Sequence, residues 1–409
     1  MGQLTVDSGD TAWMLVSTAF VMLMLLPGLA LFYGGLVRAK NLLSVMSQVL
    51  GITAVAILTW VLWDYSLAFY DGNAVIGGLG KAGFAGMGAD AAWPVGTAGK
   101  AIPELVFAAF QMSFAAITGA LVVGALVERF RFSAMILFAT LWLTIVYAPL
   151  AHMVWASEGV LFRFGAIDFA GGTVVHVNSG IAGLVGVAFA GPRIGHLKEA
   201  MPPHSLALTM VGAGLLWVGW FGFNAGSALE ANGLAAVAMV NTLVAPAAGL
   251  LTWMAAERLV SGKPSMLGGA SGAVAGLVAV TPAAGASGPI GAMLLGLVAS
   301  LVCYGFVGSL KNRLRLDDSL DVFGIHGLGR HCHRRVAGAR RARRRGLLAR
   351  LAACSAAERR RHRDRLVGGR LGALLYCGQA GHAAQASPRR GTGRARHLRS
   401  RRAGVQFLK

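Results

Sequence analysis

Two histidines stand deep inside apolar stretches of this 409-residue chain. His176 closes the run Asp168-Phe-Ala-Gly-Gly-Thr-Val-Val-His176, and His326 lies in Asp321-Val-Phe-Gly-Ile-His326-Gly. An imidazole can donate and accept a hydrogen bond at once, and it changes charge near neutral pH. At membrane depth such a group is costly, so it faces a cavity, pairs with something or lines a pathway. Two of them in a bundle interior suit a conduit for a small, proton-bearing solute. The competing reading is two buried histidines satisfied by their neighbours.

Elements that could hold them at that depth are plentiful. The chain is 56% hydrophobic and 13% charged, with a mean hydropathy of +0.62. That excludes an ordinary soluble globular protein and points to an all-α polytopic membrane protein. Apolar segments long enough to cross a bilayer fall near 12–36, 42–66, 105–127, 133–155, 173–190, 205–227, 234–256, 266–284 and 288–308, and a tenth begins near 319. With the N-terminus outside, the inner joints hold 11 basic residues, from Arg38 to Arg315, against Lys81, Lys100 and Arg163 outside. That bias satisfies the positive-inside rule. No basic stretch precedes the first apolar run, which therefore reads as a retained helix, not a cleaved signal.

The formal charge of +20 resembles a nucleic-acid signal until it is located. Residues 1–329 carry 14 Lys+Arg against 15 Asp+Glu, whereas residues 330–409 carry 23 against 2. The four cysteines form no Cys-x-x-Cys pair, so neither a disulfide framework nor a metal site is expected, and no cofactor is expected either. Glycine, 57 residues in all, concentrates within the spans at three- and four-residue spacing, as in 211–228 and 267–280. Small residues at that spacing let helix backbones approach closely in lipid.

Several blocks together resemble the ammonium transporter family, the Amt/Mep/Rh group. They include LPGLALFYGGLVRAKN (26–41), FAAFQMSFAAITGALVVGALVERFRF (107–132), PLAHMVW (149–155), DFAGGTVVHVNSGIAGLVG (168–186), GWFGFNAGSA (219–228), VNTLVA (240–245), GKPSMLGGASGAVAGLVAVTPA (262–283) and DDSLDVFGIHGLG (317–329). The resemblance covers residues 10–329 and implies a bundle of two inverted five-helix repeats followed by an eleventh helix. It also implies a homotrimer in the plasma (inner) membrane, each subunit with its own pore for ammonium or ammonia. On the same grounds His176 and His326 line that pore, on the fifth and tenth spans. Phe114, Trp155 and Ser227 match the family's outer recruitment site, and Phe114 with Phe223 matches the pair of rings that closes the pore. Phe110, one turn from Phe114, is a looser match. Asp168 matches the aspartate near the outer mouth. Its residue type equally suits a cap, accepting from the N–H groups of Gly171, Gly172 and Thr173. His152 reads as structural, and the acids Asp317, Asp318 and Asp321 read as caps or tethers of the tenth helix.

After Gly329 the likeness stops. Residues 330–409 hold 22 arginines and one lysine, and no apolar run long enough to span follows. The end of helix 10 and helix 11 are thus expected to be missing or replaced. A single-nucleotide frameshift accounts for this: Arg330-His-Cys-His-Arg-Arg-Val-Ala-Gly338 can be encoded so that the next frame reads Gly-Ile-Val-Thr-Gly-Ala-Leu-Leu. A genuine arginine-rich appendage would place charges within the hydrocarbon, at about 2.5–3.5 kcal/mol per arginine. Residues 330–409 therefore read as a tail without a stable fold, and no nucleic-acid partner is expected. The functional expectation is ammonium transport: recruitment at an aromatic outer site, deprotonation, and passage of ammonia between the histidines. The alternatives are a truncated transporter without activity, or a membrane ammonium sensor, for which no signalling domain is readable.

Overall fold

The computed structural model describes residues 4–329; the expected arginine-rich tail lies outside the described residues. Nine helices among the described residues are long and apolar enough to cross a membrane. They are α1 (Ser8–Leu36), α2 (Ala39–Phe69), α3 (Glu104–Leu126), α4 (Phe132–Arg163), α5 (Gly172–Ala190), α6 (Leu206–Gly226), α7 (Gly233–Ser261), α8 (Met266–Ala283) and α9 (Pro289–Arg313). A tenth element, α10, opens with the π-turn Phe323–Gly327. The protein is a multi-pass membrane protein of the expected fold class, and α1–α5 and α6–α10 are its two halves.

Local sequence signals explain where the helices start and stop. Asp7 caps α1 by accepting from Asp10 N–H at 2.9 Å, Ser205 caps α6, Asn232 caps α7 and Ser265 caps α8. Each supplies a side-chain oxygen to an N–H that the first turn leaves unpaired. Gly262, with φ of +81°, ends α7 in the left-handed region, where a residue without Cβ is at no disadvantage. Several spans outrun the apolar runs that announced them: α7 reaches Ser261 and α9 reaches Arg313, because polar residues extend the helices beyond the lipid-facing portion. The tenth element starts later than residue 319. Asp321 has φ of +60°, and helix begins only at Val322, whose N–H is received by Asp318.

Glycine sets the packing distance where backbones meet. A Cβ on Gly296 or Gly276 would strike the carbonyl of Ala245, and one on Gly249 would strike that of Gly272. The three helices α7, α8 and α9 are thereby packed backbone to backbone, the geometry that small residues permit in lipid. On the N-terminal face a small sheet closes the end of the bundle. Strand β3 (Lys100–Pro103) lies between β1 (Thr5–Val6), which runs parallel to it, and the antiparallel β2 (Ala92–Pro94).

Candidate functional site

The structure brings the two histidines together. His176 sits in the π-turn Gly172–Val177 at the start of α5, and His326 in the π-turn Phe323–Gly327 of α10. Their Nδ1 atoms are 3.1 Å apart and the ring centroids 5.1 Å apart. Both residues are buried. Two facing ring nitrogens hydrogen-bond only when one carries the hydrogen and the other its lone pair, so the rings hold different tautomers when both are neutral.

An acid caps each of these turns. Asp168 accepts from Gly171 N–H at 2.9 Å, Thr173 N–H at 2.8 Å and Val174 N–H at 3.0 Å. The expected third donor, Gly172, is replaced by Val174. Gly171, at φ of +100°, curls the chain so that the N–H groups on either side of Gly172 converge on the carboxylate. Asp318 accepts from Val322 N–H at 2.9 Å and Gly324 N–H at 3.0 Å. Asp318 precedes His326 by the same eight residues that separate Asp168 from His176. The counterpart of Asp168 in the second half is therefore Asp318; Asp321 instead pairs with Lys311.

Above the histidines, toward the N-terminal face, the aromatic residues assemble as a stack. The Phe114 and Phe223 rings lie 4.1 Å apart and only 6° from parallel, both fully buried. Trp155 meets Phe114 edge-on at 6.0 Å, and its Nε1–H donates to the Asp168 carbonyl at 3.0 Å. Phe110 packs on Phe114 at 4.8 Å. Ser227, at the end of α6, donates its hydroxyl to the Phe223 carbonyl at 2.9 Å, which leaves its oxygen lone pairs able to accept. Sequence reasoning passed over Trp220. Its ring stacks on His176 at 5.5 Å, and its Nε1–H donates to Thr281 at 2.9 Å. Its position one turn before Phe223, in a block already singled out, was the available signal.

Beside Phe223 and the two histidines is a cavity of about 20 Å³. Its wall is apolar apart from His176, His326, Tyr33 and Trp220; Leu29, Val175 and Val274 are among the aliphatic members. That volume holds about one water-sized molecule. Among the described residues no group of His, Cys, Asp and Glu is arranged to hold a metal ion. His152 is tied by both ring nitrogens to carbonyls, Ala68 O at 3.0 Å and Asn73 O at 2.8 Å.

At the opposite face, Asp317 gathers the joints of both halves. It accepts from Arg193 N–H at 2.6 Å and Arg193 Nη2 at 2.8 Å, with His196 Nδ1 at 3.3 Å and Arg129 Nη1 at 3.7 Å. Burial alone would raise the carboxyl of Asp317, but the Arg193 contacts outweigh it and hold the group below its ordinary value. Glu128 behaves alike: burial pushes it up, the Arg38 pairing pulls it further down, and the net direction is downward.

A multi-pass helical bundle with stacked rings above a small, largely apolar cavity and paired imidazoles beside it fits a membrane transporter. The chain belongs to the Ammonium Transporter Family, whose profile matches residues 12–331. It is 47% identical over 323 residues to an ammonium transporter of Bacillus subtilis, covering 78% of each chain. With an ammonium transporter of Aquifex aeolicus it shares 49% identity over 328 residues, 79% of this chain and 74% of that one. The crystal structure of Saccharomyces cerevisiae Mep2 superposes with a TM-score of 0.74 at 39% identity, over 81% of this chain and 73% of that one. These relatives are transporters, not enzymes. The family match ends two residues past Gly329, where the likeness in the sequence also stops.

Proposed function

We propose that the chain transports ammonium by recruiting the cation at Phe114, Trp155 and Ser227 and passing it inward as ammonia. Aromatic faces attract a desolvating cation by about 0.5–2 kcal/mol each, and the Ser227 lone pairs replace one hydration bond. The cation gives up its proton at that site to water at the outer mouth, because the space below is apolar and closed by the Phe114–Phe223 pair. Neutral ammonia then enters as the rings part. His176 and His326 offer it one donor and one acceptor where no hydration shell can follow. Asp168 holds the turn that carries His176 and also adds negative charge near the mouth. The observation that carries this reading is the cavity of about 20 Å³ bordered by Phe223 and the imidazole pair, a volume for one small molecule.

The working assembly in this reading is a homotrimer in the plasma membrane, with the N-terminus outside. Uptake of radiolabelled methylammonium by cells lacking their own transporters tests it. The full chain should confer uptake, and His176→Ala should reduce it. Uptake unchanged by the substitution would remove the histidines from the pathway. Uptake absent with the unaltered chain would mark it as a transporter without activity.

A further inference from the structure

Seven acids are buried among the described residues: Asp10, Asp64, Glu104, Asp168, Glu230, Asp317 and Asp318. Six of them are held by cations or by N–H groups. Asp64 has no cation beside it and receives no backbone N–H; only side chains approach it. It is 1% exposed, its Oδ1 meets no hydrogen-bond partner, and no ion pair includes it. It is also remote in role from the pore, since it lines none of the cavity around the histidines.

Its surroundings are specific. Asp64 ends the π-turn Trp60–Asp64 of α2, five residues before the helix end at Phe69. At about 1.5 Å per residue this places it roughly 7–8 Å inside that end. α4 has its own π-turn, Leu143–Tyr147. The polar side chains that reach the carboxyl are Thr59 and Trp63 of α2 and Thr144 of α4. Trp63 Nε1–H donates to Thr144 Oγ1 at 2.8 Å. The other titratable groups on the elements packed here are engaged elsewhere or form no bond to it. Tyr65 donates to Glu104, Glu104 pairs with Lys81, and His152 faces two carbonyls. Tyr147 is in turn buried and bonds nothing of Asp64.

An ionised carboxyl in this position would be a charge buried in a low-dielectric interior with no cation to pair it, an arrangement strongly disfavoured against the neutral acid. A calcium ion requires six to eight oxygens and magnesium an octahedral set; the carboxyl and two threonine hydroxyls fall well short. One ligand needs no more than these groups supply. We propose that Asp64 is a proton-binding site within the membrane and outside the pore: a neutral carboxylic acid that fastens the π-turn of α2 to that of α4. Because α4 also carries Trp155, the site braces the segment that presents the aromatic entrance. The proposal itself does not depend on how the solute passes.

The test uses the full chain reconstituted in lipid vesicles at neutral pH, as wild type and as Asp64→Asn. Asparagine is close in shape to the neutral acid and cannot ionise. The wild-type-minus-variant infrared spectrum should contain the carbonyl stretch of a protonated carboxyl, shifted on exchange into heavy water, with the carboxylate bands cancelling. The variant should unfold at the wild-type temperature. A lost carboxylate band in place of the protonated one would overturn the proposal. A variant that fails to fold would count against it too, since the neutral amide would then be no substitute. A second measurement needs no variant: dicyclohexylcarbodiimide, an apolar reagent for protonated carboxyls, should add to the peptide containing Asp64. Labelling of other acids with Asp64 untouched would also overturn it.

Discussion

Replacing Asp168 by alanine separates two roles that one residue can fill. The carboxylate receives three N–H groups at the start of α5, those of Gly171 and Val174 buried and that of Thr173 partly so. Leaving a buried donor unsatisfied costs about 1–3 kcal/mol. The two buried groups together therefore give a loss of about 2–6 kcal/mol, with the third partly recovered by water. The milder substitution Asp168→Asn keeps one accepting oxygen and turns an NH2 toward the remaining donors, so about half of that loss is expected. The assay is thermal unfolding of the purified chain in detergent, alongside methylammonium uptake in cells. The expected order of stability is wild type, Asp168→Asn, Asp168→Ala, with uptake falling in the same order because His176 rides on the capped turn. Unfolding of Asp168→Ala at the wild-type temperature would refute the reasoning, and loss of uptake alone would assign the carboxylate to the solute.

Four further outcomes are expected. Asp317→Ala leaves Arg193 and the buried Arg129 facing each other without their acid; breaking such a pair costs about 3–5 kcal/mol, readable as a lower unfolding temperature. The acid response of the wild type follows from the same group: its folded-state value lies below the ordinary 3.8, so its stabilisation is complete above that pH and is lost as pH falls through the lower folded value. An unfolding temperature measured from pH 7 down should hold level until about that point and then decline, less steeply in Asp317→Asn. Gly296→Ala drives a methyl into the Ala245 carbonyl and should destabilise by about 1–3 kcal/mol; thermal unfolding that matches the wild type would mean that α7 and α9 can part freely. Trp220→Phe keeps a ring against His176 but gives up the bond to Thr281, and it should slow uptake severalfold without preventing folding, as uptake rates and the melting curve would reveal.

Much of the scaffold could be read from the chain because lipid imposes a simple rule: segments that cross it are long, apolar and separated by polar joints. The histidines and the rings near them were legible for a different reason, since they sit in long ordered blocks that resemble known transporters. What escaped is what depends on the path of the backbone. Nothing in the residue types at 317–321 shows that Asp321 turns back with a positive φ, so that Asp318 and not Asp321 caps the last helix. Nor does composition show that Gly171 bends the chain enough to bring Val174 N–H, in place of Gly172 N–H, onto Asp168. Trp220 and Asp64 are hidden by their surroundings: one aromatic among many, and one acid in the run Trp-Val-Leu-Trp-Asp. Their significance arises only from which neighbouring helix lies opposite.

The meeting of two like nitrogens, one from each half of an inverted repeat, has a consequence for directionality. The two turns that bring these atoms together are equivalent, each capped by an aspartate eight residues before its histidine, yet a single hydrogen between equivalent atoms must belong to one of them. At any instant the imidazole pair thus has a head and a tail written in a tautomer. Reversing that polarity requires the rings to trade hydrogens, with no helix having to move.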